Sequence, residues 1–186
     1  TVTANSILLA DSDANGSSTN DANTQGTFNL RGGTLDMIAM TELPLPFVSR
    51  TPNEQPTPAI FSSAGSQSWG AVDIAYAMAP FRIEDGEALV MEGRFPKCAY
   101  ASVVLWNRHM QCLEYRDRTT WRNRANTERD ADGRFRMVVA HVDPGVPNWL
   151  DTEGHREGTI FWRILLPEGE LERTDCRVVP VASLAG

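Results

Sequence analysis

From residue 71 onward the chain breaks into short apolar runs of period two, each closed by strong turn chemistry. This feature most constrains the fold. Val72, Ile74, Tyr76 and Met78 alternate with Asp73, Ala75 and Ala77, and on a strand alternate side chains face opposite sides. Asp85-Gly86 predicts a tight hairpin into residues 88–95. Residues 99–107 are rich in Val and aromatics and suit a central strand. Asp132-Gly133 predicts a second hairpin, joining 121–129 to 134–142. Asp143-Pro144-Gly145 fits a turn with Pro second and Gly third. Residues 159–166 form another buried run and 176–181 a last strand. Short strands at this spacing, without intervening helical patterns, predict an all-β fold: an antiparallel β-sandwich, jelly-roll-like.

At 186 residues the chain suits one domain with an arm. Residues 11–27 are almost wholly small and polar and read as a linker or arm. Residues 7–10 offer a short added strand, 28–48 a helix or an edge strand, and 51–70 a Pro/Ser/Gly-rich connector. The expected division is an arm and connector over 1–60 and the sandwich over 61–186. The net charge of −7 repels phosphate backbones and disfavours nucleic acid. Seven arginines between 116 and 136 are interleaved with acids and read as a solvated strand face. No apolar run reaches the roughly 18–20 residues of a membrane span, and no basic-then-apolar leader is present. A soluble protein is expected, with cytoplasm and a secreted or periplasmic location both open. Three cysteines do not make a disulfide scaffold. A tight turn after Asn107 sets Cys112 opposite Trp106 rather than Cys98, so free thiols are expected.

All three histidines and four of the five tryptophans fall between Phe95 and Pro167. Phe135, Met137, Val139, His141 and Asp143 share one strand face while the strand persists. A two-residue turn at Asp132-Gly133 would set His141 against Arg124 and Asp143 against Arg122. That would gather a histidine, an acid and two guanidiniums at one end of a sheet, although a one-residue slip reverses the arginines. The functional reading makes His141 a general acid/base with Asp143 beside it. The plainer reading is a bonded rim histidine with cross-strand ion pairs. Asn107 and Arg108 at a strand end, and Asn148 and Trp149 after the Pro-Gly turn, are candidate ligand contacts. Equally, they satisfy backbone groups and cap the core. The histidines and cysteines have no metal-ligand spacing and Gly32-Gly33 lacks the rest of a phosphate loop, so neither metal nor cofactor is expected. Thr1 has the chemistry of an N-terminal nucleophile, yet the linker-like sequence behind it points to a trimmed terminus.

Three blocks carry a resemblance: Asp132-Gly133-Arg134-Phe135, Pro144-Gly145-Val146-Pro147-Asn148-Trp149-Leu150, and Trp162-Arg163. Over residues 71–167 the chain resembles the bacterial domain-of-unknown-function family 1214 (DUF1214). The resemblance implies a jelly-roll-like all-β fold and an upstream companion domain, and little chemistry. It directs attention to Asn107, His141, Asn148, Trp149 and Arg163.

Three functions remain. The first is a module binding a small polar molecule or carbohydrate through Asn107, Arg108, Arg124, Asn148, Trp149 and Arg163. The second is a hydrolase or lyase using His141 and Asp143. The third is a structural module burying a partner surface through Trp149 and Trp162. A homo-oligomer and an upstream domain are the protein partners left open.

Overall fold

The computed structural model describes residues 47–60 and 73–184. The expectations for residues 7–10, 11–27 and most of 28–48 lie outside these. The described chain forms nine strands: β1 (Ala59–Ile60), β2 (Ile74–Arg82), β3 (Glu87–Arg94), β4 (Tyr100–Asn107), β5 (Trp121–Asn123), β6 (Arg134–Ala140), β7 (Trp149–Asp151), β8 (Glu157–Leu165) and β9 (Asp175–Pro180). They make two sheets, one ordered β1-β2-β8-β4-β5 and the other β7-β6-β3-β9. Every pairing is antiparallel except β6–β7. This is an all-β sandwich.

The sheets bury one apolar layer between them. The first contributes Ala77, Phe81, Val103, Leu105, Ile160 and Trp162; the second contributes Leu89, Met91, Phe135, Met137, Val139 and Leu150. Along β2 the small residues Ala75, Ala77 and Ala79 are buried on the same side as Phe81, because Trp162 fills the space opposite Ala77. The larger row, Tyr76 and Met78, turns outward into a second cluster with Phe47 and Val48. There Tyr76 and Trp106 both stack on Phe161, at 5.6 and 4.3 Å between ring centroids.

Both predicted hairpins need correction. The turn at Asp85-Gly86 forms, with Glu87 N–H bonding Glu84 O and Gly86 at φ 82°. It carries the chain from one sheet to the other, since β2 pairs with β8 and β3 with β6 and β9. The turn at Asp132-Gly133 also forms, with Gly133 at φ 83°. Its two arms part: β5 pairs with β4, whereas β6 pairs with β3 and β7. The strand expected over 121–129 is only three residues long.

The boundary at residue 60 also shifts. Met78 N–H bonds Phe47 O, and Ser49 N–H bonds Met78 O. The Asn53 amide then holds Arg82 from both sides, accepting from its N–H at 2.9 Å and donating to its carbonyl at 2.6 Å. Residues 47–60 therefore edge the sandwich rather than precede it. Cys112 lies opposite Trp106 as expected, and all three cysteines are free.

Candidate functional site

The predicted cluster at one sheet end is not assembled. His141 and Arg124 are not cross-strand neighbours, because β5 and β6 belong to different sheets. Arg124 donates to the carbonyl of Cys98 at 3.1 Å. Arg122, opposite Val103, instead spans the seam between the β5 and β7 edges. Its guanidinium donates to Asn126 O and Trp149 O, both at 3.1 Å, and its Nε has no partner. Burial lowers its pKa.

His141 follows the end of β6. Its Nδ1 lies 2.6 Å from Thr152 Oγ1 and its Nε2 lies 3.2 Å from Ile83 O. A carbonyl can only accept, so in the neutral ring Nε2 carries the proton and Nδ1 accepts from the threonine hydroxyl. Both nitrogens are thereby engaged in joining three loops. Asp143 is exposed, and its carboxylate accepts from Gly145 N–H at 2.8 Å within its own turn. The two candidate catalytic residues serve separate local structures.

The other candidates are dispersed. Asn107 Oδ1 accepts from His109 and Gln111 N–H, so its amide shapes the turn after β4. Arg108 pairs with Glu157 at 3.1 Å. Arg163 is exposed on β8, between Tyr76 and Ser102 in register. Trp162 lies in the core and offers no surface to a partner. Trp149 is half-buried and donates from its indole to Ala140 O at 3.1 Å.

Asn148 is the most heavily used of them. It is buried and sits at φ 58°, a left-handed conformation that Asn tolerates better than most residues. Its Oδ1 accepts from Glu128 N–H at 2.8 Å, and its Nδ2 donates to Glu128 O and Arg136 O at 2.9 and 3.0 Å. One amide therefore ties the 126–130 loop, β6 and the Pro-Gly turn together.

These three pieces enclose an open groove of about 250 Å³, lined by Glu128, Arg129, Asp130, Arg136, Val138, Val146, Pro147 and Asn148. Arg136 faces it because β6 alternates: Phe135 and Met137 enter the core and Arg136 points outward. Its closest carboxylate, Glu92 at 3.8 Å, bonds Arg177 instead. The Arg177 hydrogen bond holds Glu92 below the usual carboxylate range. Sequence reasoning missed Arg129 and Arg136 as site residues. The signal was present in the arginine-rich run, which reads equally well as solvated surface.

Asp151, which the sequence offers as a turn cap or carboxylate partner, serves as both: its Oδ1 accepts from Glu153 N–H at 2.8 Å. Asp151 is buried and pairs with Arg118 at 2.7 Å, which raises the arginine's pKa. This pair closes the same β5/β7 seam as Arg122. Among the described residues no group of three or more His, Cys, Asp or Glu is placed to hold a metal ion. No helix among them is long and apolar enough to cross a membrane.

No family model and no curated protein matches the chain. Solved structures similar to the chain include two bacterial proteins. An uncharacterised protein from Burkholderia cenocepacia is 36% identical over 74% of this chain and 37% of its own, with a TM-score of 0.64. A Vibrio parahaemolyticus protein is 19% identical over 61% of this chain and 33% of its own, with a TM-score of 0.51. The second likeness concerns the fold alone. The chain thus spans about a third of the length of these solved structures.

Proposed function

We propose that this sandwich is the ligand-binding domain of a longer DUF1214-like protein. Its ligand is a small polyhydroxylated molecule, a carbohydrate by class, held in the groove beside Asn148. The observation that carries this reading is the groove's mixed lining. Arg129 and Arg136 bring donors, Glu128 and Asp130 bring acceptors, and Val138, Val146 and Pro147 bring apolar surface. Hydroxyls both donate and accept, and a sugar ring also presents an apolar C–H face. Drug-sized pockets run to about 300–1,000 Å³, so 250 Å³ suits a single sugar unit. The Asn148 amide is spent on backbone partners, which fixes the walls in advance and lowers the ordering cost of binding.

A hydrolase or lyase built on His141 is the weaker reading, since the ring would first have to leave Thr152 and Ile83. The test is saturation-transfer NMR with neutral monosaccharides and uronic acids. Binding in the millimolar range that falls at least tenfold in Arg136→Ala and Arg129→Ala, both still folded, supports the groove. Sugar binding unchanged in both variants, or no binding at all, overturns it.

A further inference from the structure

Three aromatic rings, those of Phe95, Phe135 on β6 and Trp162 on β8, meet beneath a strap formed by residues 53–58. Phe95 lies 5.0 Å from Phe135, and Trp162 lies 5.7 Å from Phe135 and 6.1 Å from Phe95, between ring centroids. Pro56, Pro58, Leu171, Glu172 and Thr174 line the space beside them. Trp162 is 4% exposed and its Nε1 has no hydrogen-bond partner. A buried indole N–H normally finds an acceptor, and leaving one unmet is costly. Gln55, next to Pro56, is 1% exposed and has both side-chain polar atoms unmet. Two orphaned polar groups thus accompany one aromatic-walled crevice. The closed space is about 20 Å³, room for one water.

What shuts the crevice is weak. The strap meets the 171–174 loop through the Glu54–Arg173 pair at 2.8 Å, with side chains 43% and 50% exposed. Such exposed pairs contribute little. Residues 54–58 span two firm attachments, Asn53 on Arg82 at one end and the pairing of β1 with β2 at the other, so opening the crevice means bowing this five-residue span outward between them.

We propose that this crevice is a second ligand site, separate from the groove beside Asn148. It takes the flat apolar end of a small molecule whose carbonyl or ether oxygen accepts from Trp162 Nε1, with residues 54–58 opening to admit it. Arg94 and Glu172 at the mouth carry opposite charges, so a neutral ligand is favoured over an ion.

The probe is acetophenone, an aromatic ketone with an acceptor and no donor, compared with ethylbenzene, of similar shape and no acceptor. The readout is the Trp162 indole N–H signal in a ¹⁵N-labelled wild-type chain, identified by its absence in Trp162→Phe. Expected are a saturable shift with acetophenone, at least tenfold weaker binding of ethylbenzene, and tighter acetophenone binding when Arg173→Ala frees the strap. Trp162→Phe, if folded, binds both compounds alike. No shift in either the wild type or Arg173→Ala overturns the site. Equal affinity of the two compounds for the wild type overturns the role of Nε1.

Discussion

Replacing Asn148 separates its architectural role from a direct ligand contact. Asn148→Ala removes three hydrogen bonds, leaving the N–H and carbonyl of Glu128 and the carbonyl of Arg136 without this partner. At about 0.5–1.5 kcal/mol each, the loss is about 2–4 kcal/mol. The backbone adds to it. At φ 58° alanine meets the left-handed penalty of about 1–2 kcal/mol, which asparagine partly escapes through its short polar side chain. The expected total is about 3–5 kcal/mol, at the large end for a point substitution. Asn148→Gly loses the same hydrogen bonds without the backbone penalty, so it should be about 1 kcal/mol less damaging than alanine. Urea unfolding followed by tryptophan fluorescence measures both, with an unchanged m-value as the check that only stability moved. A cost below about 1 kcal/mol for alanine would refute the reasoning. Glycine as damaging as alanine would refute its backbone half.

A β-carbon at Gly158 would lie 2.3 Å from the Trp106 carbonyl oxygen and 2.6 Å from the Phe81 ring. Gly158→Ala should therefore cost about 3 kcal/mol or more by forcing two central strands apart, read as a lowered Tm; an unchanged Tm contradicts that packing. Burial pushes the Cys176 thiol up to about 11 and raises Cys98 as well, whereas Cys112 is exposed. At pH 8 a disulfide reagent should titrate one thiol quickly and the other two only after denaturation. Glu92, held below its ordinary value of 4.5 by Arg177, adds stability that is full above pH 4.5. That stability is lost as pH falls through the lower folded value. Glu92→Gln should cost up to about 1 kcal/mol at pH 7, and the gap to wild type should close in acid; a gap that persists at pH 2 contradicts this.

The fold class was legible because alternation and turn chemistry are local. Gly86, Gly133 and Gly145 all adopt positive φ, and the runs ending at Asn107 and Leu165 are strands. Strand partners were not legible. A tight turn reverses the chain, but the same reversal serves a hairpin or a crossing to the facing sheet. At Asp85-Gly86 and Asp132-Gly133 the chain crosses or the arms part. The choice is made by what each arm can bury. The row of alanines before Phe81 leaves room for Trp162, whereas Phe135, Met137 and Val139 need the apolar face of the other sheet.

The site was harder to read for a related reason. Sequence reasoning gathered polar loop residues that the sandwich distributes over separate turns and edges. Asn107, His141 and Asn148 each lie where several backbone groups lack strand partners, and each spends its polar atoms there. A polar residue just past a strand is thus ambiguous in sequence, because joining loops and meeting a ligand call for the same chemistry. The outward positions of a strand escape that ambiguity. Arg136 has Phe135 and Met137 for neighbours, both in the core, so its own side chain is forced outward by the period of two. Its ion pair with Glu92 is long at 3.8 Å, so the Arg136 charge can turn to a ligand beside the wall that Asn148 holds. That is the physical ground for seeking function at Arg136 before His141.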